Sequence, residues 1–287
     1  MRAKGRRALA AAAVAVALSA AAVVVGPGSA GYAVSGRVNV YGGTPMNSDP
    51  KDAVATCPGD TKVLGGAGYI SNGFGDVVLD RIVPNADLTS VSVRGLEHGG
   101  VAGAWSATAV AMCGDPVLNL RRVSYELPRS WTSPKNAVAY CPGNLSVYGL
   151  GAQIVDGRGD VVLDDLEISD DLSFVNVGAY QVGDPNHAWG LVAYAICGNR
   201  ATTMERVVAS PASGSDNASP KSVHSASCPA GTTQTGVGGE VSGGRGAVTL
   251  DELTVSAVAG GVAQVRAHDN GTGAGPWNVL SYSVCAA

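Results

Sequence analysis

An internal repeat that occurs three times constrains the fold of this sequence more than any other feature. The segment PKDAVATCPG at 50–59 returns as PKNAVAYCPG at 134–143 and as PKSVHSASCP at 220–229, where one extra residue precedes the cysteine. Three further blocks follow in the same order in every copy: a glycine-rich block (GGAGYI, GLGAQI, GVGGEV), a second block (GDVVLD, GDVVLD, GAVTLD) and a final block that runs from a tryptophan to a cysteine. Self-similarity of this kind predicts one structural unit that is used three times.

Composition and patterning predict that each unit is built of β-strands. The chain has 40 glycines, only 15% charged residues and almost no helical periodicity, which is typical of short strands joined by tight turns. The units are expected at 34–116, 117–200 and 201–287. We therefore predict an all-β protein of three tandem, disulfide-stapled β repeats. They are expected to form either one pseudo-threefold, β-prism-like body or three consecutive small β-sandwiches.

The six cysteines fall two per repeat, and the repeat symmetry predicts how they pair. If each copy folds in the same way, each copy forms its own disulfide. The predicted pairs are Cys57 with Cys113, Cys141 with Cys197, and Cys228 with Cys285. A zinc–thiolate site would instead need Cys-x-x-Cys spacing or nearby histidine pairs, which the sequence lacks. We expect no metal and no cofactor.

The N-terminal segment is predicted to be a signal peptide, residues 1–33. A basic stretch precedes an apolar run from Leu9 to Val25, and small residues follow, so that cleavage after Ala30 or Ala33 is expected. The run is short for the alternative, an uncleaved membrane anchor. The mature protein is therefore expected to be secreted and extracellular, where disulfides persist, and to have no membrane association after cleavage.

The charge balance argues against nucleic acid as a partner. The whole chain carries 19 Lys and Arg against 23 Asp and Glu, and loss of the basic leader makes the remainder more acidic. Binding to nucleic acid depends on a clustered basic face that releases counterions. The expected partners are a glycan, the cell wall or a secreted protein.

Several residues recur at the same place in every copy, and we interpret them as scaffold. Each tryptophan precedes its cysteine by eight residues, so both side chains share one face of a strand. The alternative, a sugar-stacking platform, would require an exposed ring. An aspartate ends each GDVVLD-like block, and a shared turn or ion pair explains it better than catalysis or calcium binding. The residues assigned a structural role are Trp105, Trp189, Trp277, Asp80, Asp164 and Asp251.

The glycine-rich blocks superficially suggest a phosphate-binding loop. Such a loop needs a following helix N-terminus, whereas β-type residues follow here. We expect instead a strand that another chain segment approaches closely, or a β-bulge.

The loops between the last two strands of each unit, 97–104, 181–188 and 269–276, differ most between the copies. A shared scaffold with divergent loops separates stability from specificity, so these loops are the predicted binding surface. Trp131 is added because it lies in a polar loop of the second copy alone. The candidate contacts are His98, Trp131, Tyr180, His187 and His268. No catalytic residue is assigned, because the sequence has no nucleophile motif such as Gly-x-Ser-x-Gly.

The order CPG, then V-x-G-x-G, then VVL, then W-x7-C resembles an uncharacterised repeat module of secreted actinobacterial proteins. That module has no assigned chemistry, so the resemblance transfers no catalytic residue. The threefold pattern is also weakly similar to the vitelline membrane outer layer family, a β-prism with pseudo-threefold symmetry. The chain lacks that family's aspartate-rich and tryptophan-rich motifs, so only the architecture is implied. A lectin-like role is the usual inference for that family.

The sequence thus predicts a secreted, non-catalytic binding or structural protein that recognises glycan, cell wall or an extracellular protein partner. The alternatives are a secreted hydrolase and an inhibitor or toxin-assembly component. An enzyme predicts a cluster of acids or histidines unique to one copy, lying in a pocket. A repeat lectin predicts three similar, shallow sites built from equivalent loops.

Overall fold

Strands form wherever the repeat places runs of β-branched and small residues between glycine, proline and asparagine turns. The structure, a computed structural model, describes residues 34–98, 103–211, 215–255, 261–271 and 273–287. The predicted signal peptide lies outside these residues. Every described strand pairing is antiparallel. Across the described part of the chain we find no helix that is long and apolar enough to span a membrane.

Each repeat contributes six strands. The first repeat has β1 (Val38–Gly43), β2 (Lys51–Thr56), β3 (Lys62–Ser71), β4 (Val77–Pro84), β5 (Ser90–Glu97) and β6 (Ser106–Gly114). The second has β7 (Arg121–Ser130), β8 (Lys135–Tyr140), β9 (Leu145–Val155), β10 (Val161–Ile168), β11 (Phe174–Gln181) and β12 (Trp189–Asn199). The third has β13 (Met204–Ala209), β14 (Lys221–His224), β15 (Thr233–Ser242), β16 (Val248–Val255), β17 (Ala263–Asp269) and β18 (Asn278–Ala286).

The strands form three six-stranded sheets, and every sheet is shared between two repeats. Sheet I has the order β1-β6-β3-β16-β17-β14, sheet II β2-β5-β4-β9-β12-β7, and sheet III β13-β18-β15-β10-β11-β8. The first, sixth and third strands of one repeat therefore pair with the fourth, fifth and second strands of another. This closed exchange is the pseudo-threefold arrangement that the sequence predicts. Three consecutive sandwiches are not found, because each sheet needs strands from two repeats.

The glycine-rich blocks meet where the three sheets converge. A Cβ atom on Gly65 would overlap the Thr235 carbonyl oxygen, and one on Gly149 would overlap that of Leu64. Gly236 completes the cycle against the Tyr148 carbonyl oxygen. All three third strands also carry a register shift beside these glycines. The expected close approach and the expected bulge are therefore both present, and they let three backbones meet around the pseudo-threefold axis.

The three predicted cysteine pairs are the three disulfides of the structure. Their Cα–Cα distances are 5.6, 5.6 and 5.5 Å, within the usual range. Each joins the end of a second strand to the sixth strand of the same repeat, and these strands belong to different sheets. Buried alanines share the strand faces of the first pair, among them Ala53, Ala55 and Ala109. Small side chains at these corners bring neighbouring sheets within disulfide reach, as the pattern predicts.

Candidate functional site

Three loops of every repeat lie at one end of the molecule. The sixth strand starts beside the ends of the first and third strands, as the pairs Gly43–Thr108 and Ser71–Ser106 show. A bridge between Asn47 and Trp105 continues this pairing into the loop. The β1–β2, β3–β4 and β5–β6 loops, and their counterparts, therefore share this end, which we call the loop end. The cysteine turns lie at the opposite end.

Each β3–β4 loop at this end exposes a large side chain whose backbone is held in an unusual conformation. The loops have the form Gly-X-Gly, and X adopts positive φ: Phe74 (49°), Arg158 (56°) and Arg245 (48°). All three are exposed. Positive φ is uncommon for bulky residues, and backbone strain of this kind concentrates at functional sites. We call these three side chains the tip residues.

The glycine that follows each tip residue packs at the fifth strand of a different repeat. The Gly159 carbonyl oxygen lies 2.9 Å from His98 Nδ1, beside the end of β5. A Cβ on Gly75 would lie 3.1 Å from the His268 Cβ on β17, and one on Gly246 2.8 Å from the Tyr180 Cβ on β11. We call these contacts the three junctions. They contain three of the five sequence-predicted contacts, namely His98, Tyr180 and His268.

Two of the junctions open into shallow cavities among the described residues. The first, of about 210 Å³, is lined by Ser71, Asn72, Phe74, Arg266 and His268. The second, of about 380 Å³, lies beside Gln181, Val182 and the Gly243–Ala247 tip. Their side chains offer an aromatic ring or a guanidinium with hydrogen-bonding groups. This chemistry suits a polar ligand with an apolar face.

The remaining two candidates have contrasting surroundings. Trp131 is 64% exposed in the β7–β8 loop at the same end. A cavity of about 340 Å³ lies beside it, lined in part by Pro128, Thr132 and Pro134. His187 is buried, and its Nε2 has no hydrogen-bond partner. Trp131 is thus accessible to a ligand, and His187 is not.

The recurring tryptophans are fully buried, which excludes them as sugar-stacking platforms. A buried lysine from the start of each second strand lies over each ring. The ammonium-to-centroid distances are 4.3 Å for Lys51 on Trp105, 4.8 Å for Lys135 on Trp189 and 4.8 Å for Lys221 on Trp277. These pairs anchor the β1–β2 loop and its counterparts to the sixth strand. Their position supports the predicted structural role.

The recurring aspartates occupy a β-bulge in each fourth strand. Register shifts at Leu79/Arg81, Leu163/Asp165 and Leu250/Glu252 leave one extra residue in each case, and this residue is the aspartate. A bulge re-aims a side chain, and it directs these carboxylates into buried positions.

Two of the three aspartates form ion pairs within the sheet. Asp80 accepts hydrogen bonds from Arg94 Nε, at 2.6 Å, and from its Nη2. Asp251 lies 3.5 Å from Arg266 Nε and 2.6 Å from His268 Nδ1. These contacts support the ion-pair interpretation for the first and third repeats.

Asp164 of the second repeat has no such partner. It is 5% exposed, and its Oδ1 forms no hydrogen bond. The register explains this difference, because Arg94 and Arg266 lie opposite Arg81 and Glu252, whereas Gly178 lies opposite Asp165. The second repeat thus retains the buried acid and lacks the arginine.

Two further acids surround Asp164 on sheet III. Asp165 pairs across the sheet with Glu240, and both are partly exposed. Burial, together with the charges of Asp165 and Glu240, raises the pKa of Asp164 to about 8. Burial and the charges of Glu240 and Glu167 raise the pKa of Asp165 to about 7. We call Asp164, Asp165 and Glu240 the carboxylate cluster.

The residues that the sequence analysis missed were marked by the repeat itself. An arginine follows the bulge aspartate by about 15 residues in the first and third copies, and Gly178 replaces it in the second. Phe74 is one of only two phenylalanines and stands where the other copies have Arg158 and Arg245. Comparison of the copies, rather than their shared motif, indicates these positions.

Neither a protein-family model nor a curated protein matches the chain. Within the described part of the chain, no group of three or more His, Cys, Asp or Glu side chains is arranged to hold a metal ion. The three disulfides fit an extracellular protein. The loop end and the carboxylate cluster are therefore the two candidate sites.

Proposed function

We propose that this is a secreted, non-catalytic binding protein that recognises a glycan or cell-wall polymer at the loop end. Residues 1–33 act as the signal peptide, and the prism of three sheets is the scaffold. One observation carries the proposal: three equivalent junctions present exposed side chains at strained, positive φ, namely an aromatic ring at Phe74 and guanidinium groups at Arg158 and Arg245.

The repetition of the junctions supports a polymeric ligand. Each single site is shallow, and shallow sites bind weakly. Three sites on one rigid body engage neighbouring units of a polymer together, which raises the effective affinity without any new contact. Trp131 adds an exposed ring of the kind that stacks on the apolar face of a sugar.

A co-sedimentation assay with insoluble polysaccharides and peptidoglycan tests this function. The protein beginning at Val34 is compared with a triple variant, Phe74→Asn, Arg158→Asn and Arg245→Asn, because asparagine tolerates positive φ. The matched control removes an exposed ring and an exposed cation at the opposite end, with Tyr140→Ser and Arg121→Ser. We expect the triple variant to lose binding and the control to keep it.

Two results would contradict the proposal. If the unmodified protein sediments with no polysaccharide and no peptidoglycan, the proposal of a glycan ligand is wrong, and the loop end would instead bind a protein partner. If the triple variant binds as well as the control, the loop end is not the binding surface.

A secreted hydrolase is the second candidate, because the carboxylate cluster occurs on sheet III, whereas the equivalent positions of sheets I and II do not carry three acids. A general acid must hold its proton near neutral pH, and Asp164, with a pKa of about 8, meets that condition. Release of reducing ends from the same polysaccharides tests it, with Asp164→Asn as the inactive control. Binding without any release would leave the non-catalytic function in place.

A further inference from the structure

Three copies of one repeat provide an internal comparison of what a buried bulge aspartate requires. On sheet II, Asp80 holds the guanidinium of Arg94 through two nitrogens. On sheet I, Arg266 approaches Asp251 at 3.5 Å and the neighbouring Glu252 at 3.2 Å. In both sheets the fifth strand supplies the guanidinium, so the protein uses the same chemistry twice to neutralise this carboxylate.

Sheet III preserves the acids of this arrangement and lacks the cation. Asp164 and Asp165 correspond to Asp251 and Glu252, and Gly178 stands in the place of Arg266. Gly178 also lacks positive φ, so its backbone does not demand glycine. The atoms nearest to a Cβ at this position belong to the side chains of Asp165 and Asn136 and not to the backbone.

We propose that the carboxylate cluster of sheet III binds a guanidinium group from outside the chain, in the place that Arg94 and Arg266 fill on the other two sheets. The ligand is an arginine side chain of another protein or a small guanidinium compound. This site lies on the face of a sheet, and it does not depend on the function proposed for the loop end.

The unpartnered carboxylate is the second observation that indicates a ligand. Asp164 is 5% exposed, its Oδ1 has no hydrogen-bond partner, and among the described residues it forms no ion pair. Asp251 also lacks hydrogen bonds, but it has the ion pair with Arg266. Buried carboxylates are almost always paired. Asp165 and Glu240 remain partly exposed, so the cluster is accessible from solvent. A Cβ on Gly178 would lie 2.6 Å from Asp165 Oδ2, which shows that this carboxylate leans over the glycine.

The charges around the cluster favour a cation. Glu167 on β10 and Glu240 on β15 both raise the pKa of Asp165. Burial and the charges of Asp164 and Asp165 raise the pKa of Tyr180 on β11. Tyr282 on β18 donates a hydrogen bond to Glu240.

The neighbouring cations are placed elsewhere. Arg206 on β13 lies over the Tyr282 ring and pairs with Glu167 and Asp170. Arg122 lies in the same way over the Tyr194 ring on sheet II. Because this pair recurs on two sheets, we assign Arg206 to the scaffold. The positive charge of Arg245, a tip residue, opposes the rise in the pKa of Tyr180. None of these side chains forms an ion pair with Asp164 among the described residues.

A planar guanidinium fits this cluster better than an ammonium or a metal ion. Its fork of donors can serve two carboxylates at once, as Arg266 serves Asp251 and Glu252. The cluster also lacks the arrangement of ligands that a metal ion needs. Binding should release protons near pH 7, since the cation favours the ionised form of both aspartates.

Isothermal titration calorimetry of the protein beginning at Val34 tests the proposal. The probes are methylguanidinium, agmatine and the peptide Gly-Arg-Gly, with methylammonium and Gly-Lys-Gly as controls. We expect saturable binding of the guanidinium probes, about tenfold tighter than that of the ammonium probes. Binding should weaken by at least about tenfold from about pH 8.5 to pH 5.5, as the aspartates become protonated.

Gly178→Arg is the decisive variant, because it supplies the guanidinium from within the sheet as in the other two repeats. It should abolish probe binding, and circular dichroism will show that it is folded. Asp164→Asn should also abolish binding. Glu252→Gln is the matched control, since Arg266 already neutralises that acid, and it should bind like the unmodified protein.

The outcomes separate this site from the loop end and also distinguish the two sources of the ligand. If Gly-Arg-Gly binds more tightly than agmatine, the natural ligand is an arginine side chain of another protein. If agmatine binds more tightly, the natural ligand is a small guanidinium compound. The triple tip variant should keep guanidinium binding, and Gly178→Arg should keep polysaccharide binding. Absence of binding by the unmodified protein, equal binding of ammonium probes, or undiminished binding by folded Gly178→Arg would overturn the proposal.

Discussion

At the scale of single residues, Asp164 makes the stability of the protein depend on pH. Its pKa is about 8 in the folded state, against an ordinary value of 3.8. Between these values the folded state binds more protons than the unfolded state, so the free energy of unfolding falls as the pH rises from about 4 to about 8. We expect Asp164→Asn to remove this loss and to be about 2–4 kcal/mol more stable than the unmodified protein at about pH 8.5.

Urea unfolding at several pH values measures this difference. Asp60→Asn, which removes an exposed carboxylate from the first cysteine turn, is the control and should follow the unmodified protein. Parallel pH profiles for Asp164→Asn and the unmodified protein would show that Asp164 ionises freely in the folded state.

The lysines that cover the tryptophans should differ in their contribution to stability. The ammonium of Lys51 lies over Trp105 and also donates to the carbonyl oxygens of Asn47, at 2.9 Å, and Asp49, at 2.5 Å. Lys135 lies over Trp189 and donates to the hydroxyl of Ser130. Methionine preserves most of the stem, so Lys51→Met should cost about 2–3 kcal/mol and Lys135→Met about 1 kcal/mol. Chemical denaturation gives both values, and the reverse order would contradict this account.

At the scale of elements, the third strands depend on glycine at the axis. A Cβ on Gly149 would overlap the backbone of Leu64 and Gly65 on β3, which has no room to move because β15 lies on its other side. Gly149→Ala should therefore cost about 3 kcal/mol or more, or prevent folding. Gly43→Ala is the control, since its Cβ would only approach Thr108 Oγ1, at 3.8 Å. Thermal unfolding compares the two, and equal melting temperatures would mean that the strands separate easily.

The sequence predicts the elements better than their pairing. The spacing from Trp105 to Cys113 correctly predicts one buried strand face, and the repeat predicts all three disulfides. The period of a strand does not say which strand lies beside it, so β4 pairs with β9 of the next repeat without any local signal. Burial of His187 was unpredictable for a similar reason, since packing between loops determines it. The unpaired Asp164 could have been predicted, because Gly178 interrupts an otherwise repeated arginine.

At the scale of the whole molecule, a single repeat should not fold alone. Residues 117–200 supply three strands to sheet II and three to sheet III, so isolation removes the partners of β9 and β10 and exposes both sheet edges. The disulfide between Cys141 and Cys197 constrains the unfolded chain without replacing those partners. We expect the amide proton chemical shifts of the isolated repeat to be poorly dispersed by NMR, as in an unfolded chain. A dispersed spectrum would show that the repeats are independent units.

A circular permutant separates loss of sheet partners from loss of chain order. The amide nitrogen of Val34 donates a hydrogen bond to the carbonyl oxygen of Ala287 at 2.7 Å, so the ends of the described body are adjacent. A chain that runs from 117 to 287 and continues, through a short glycine linker, into 34–116 keeps all three sheets complete. We expect it to fold with the three native disulfides and to melt in one transition close to that of the original order, because the closed exchange of strands has no privileged starting repeat. Two separate transitions would instead mean that the connection at 114–121 holds the first two repeats together, and that the third repeat only docks onto them.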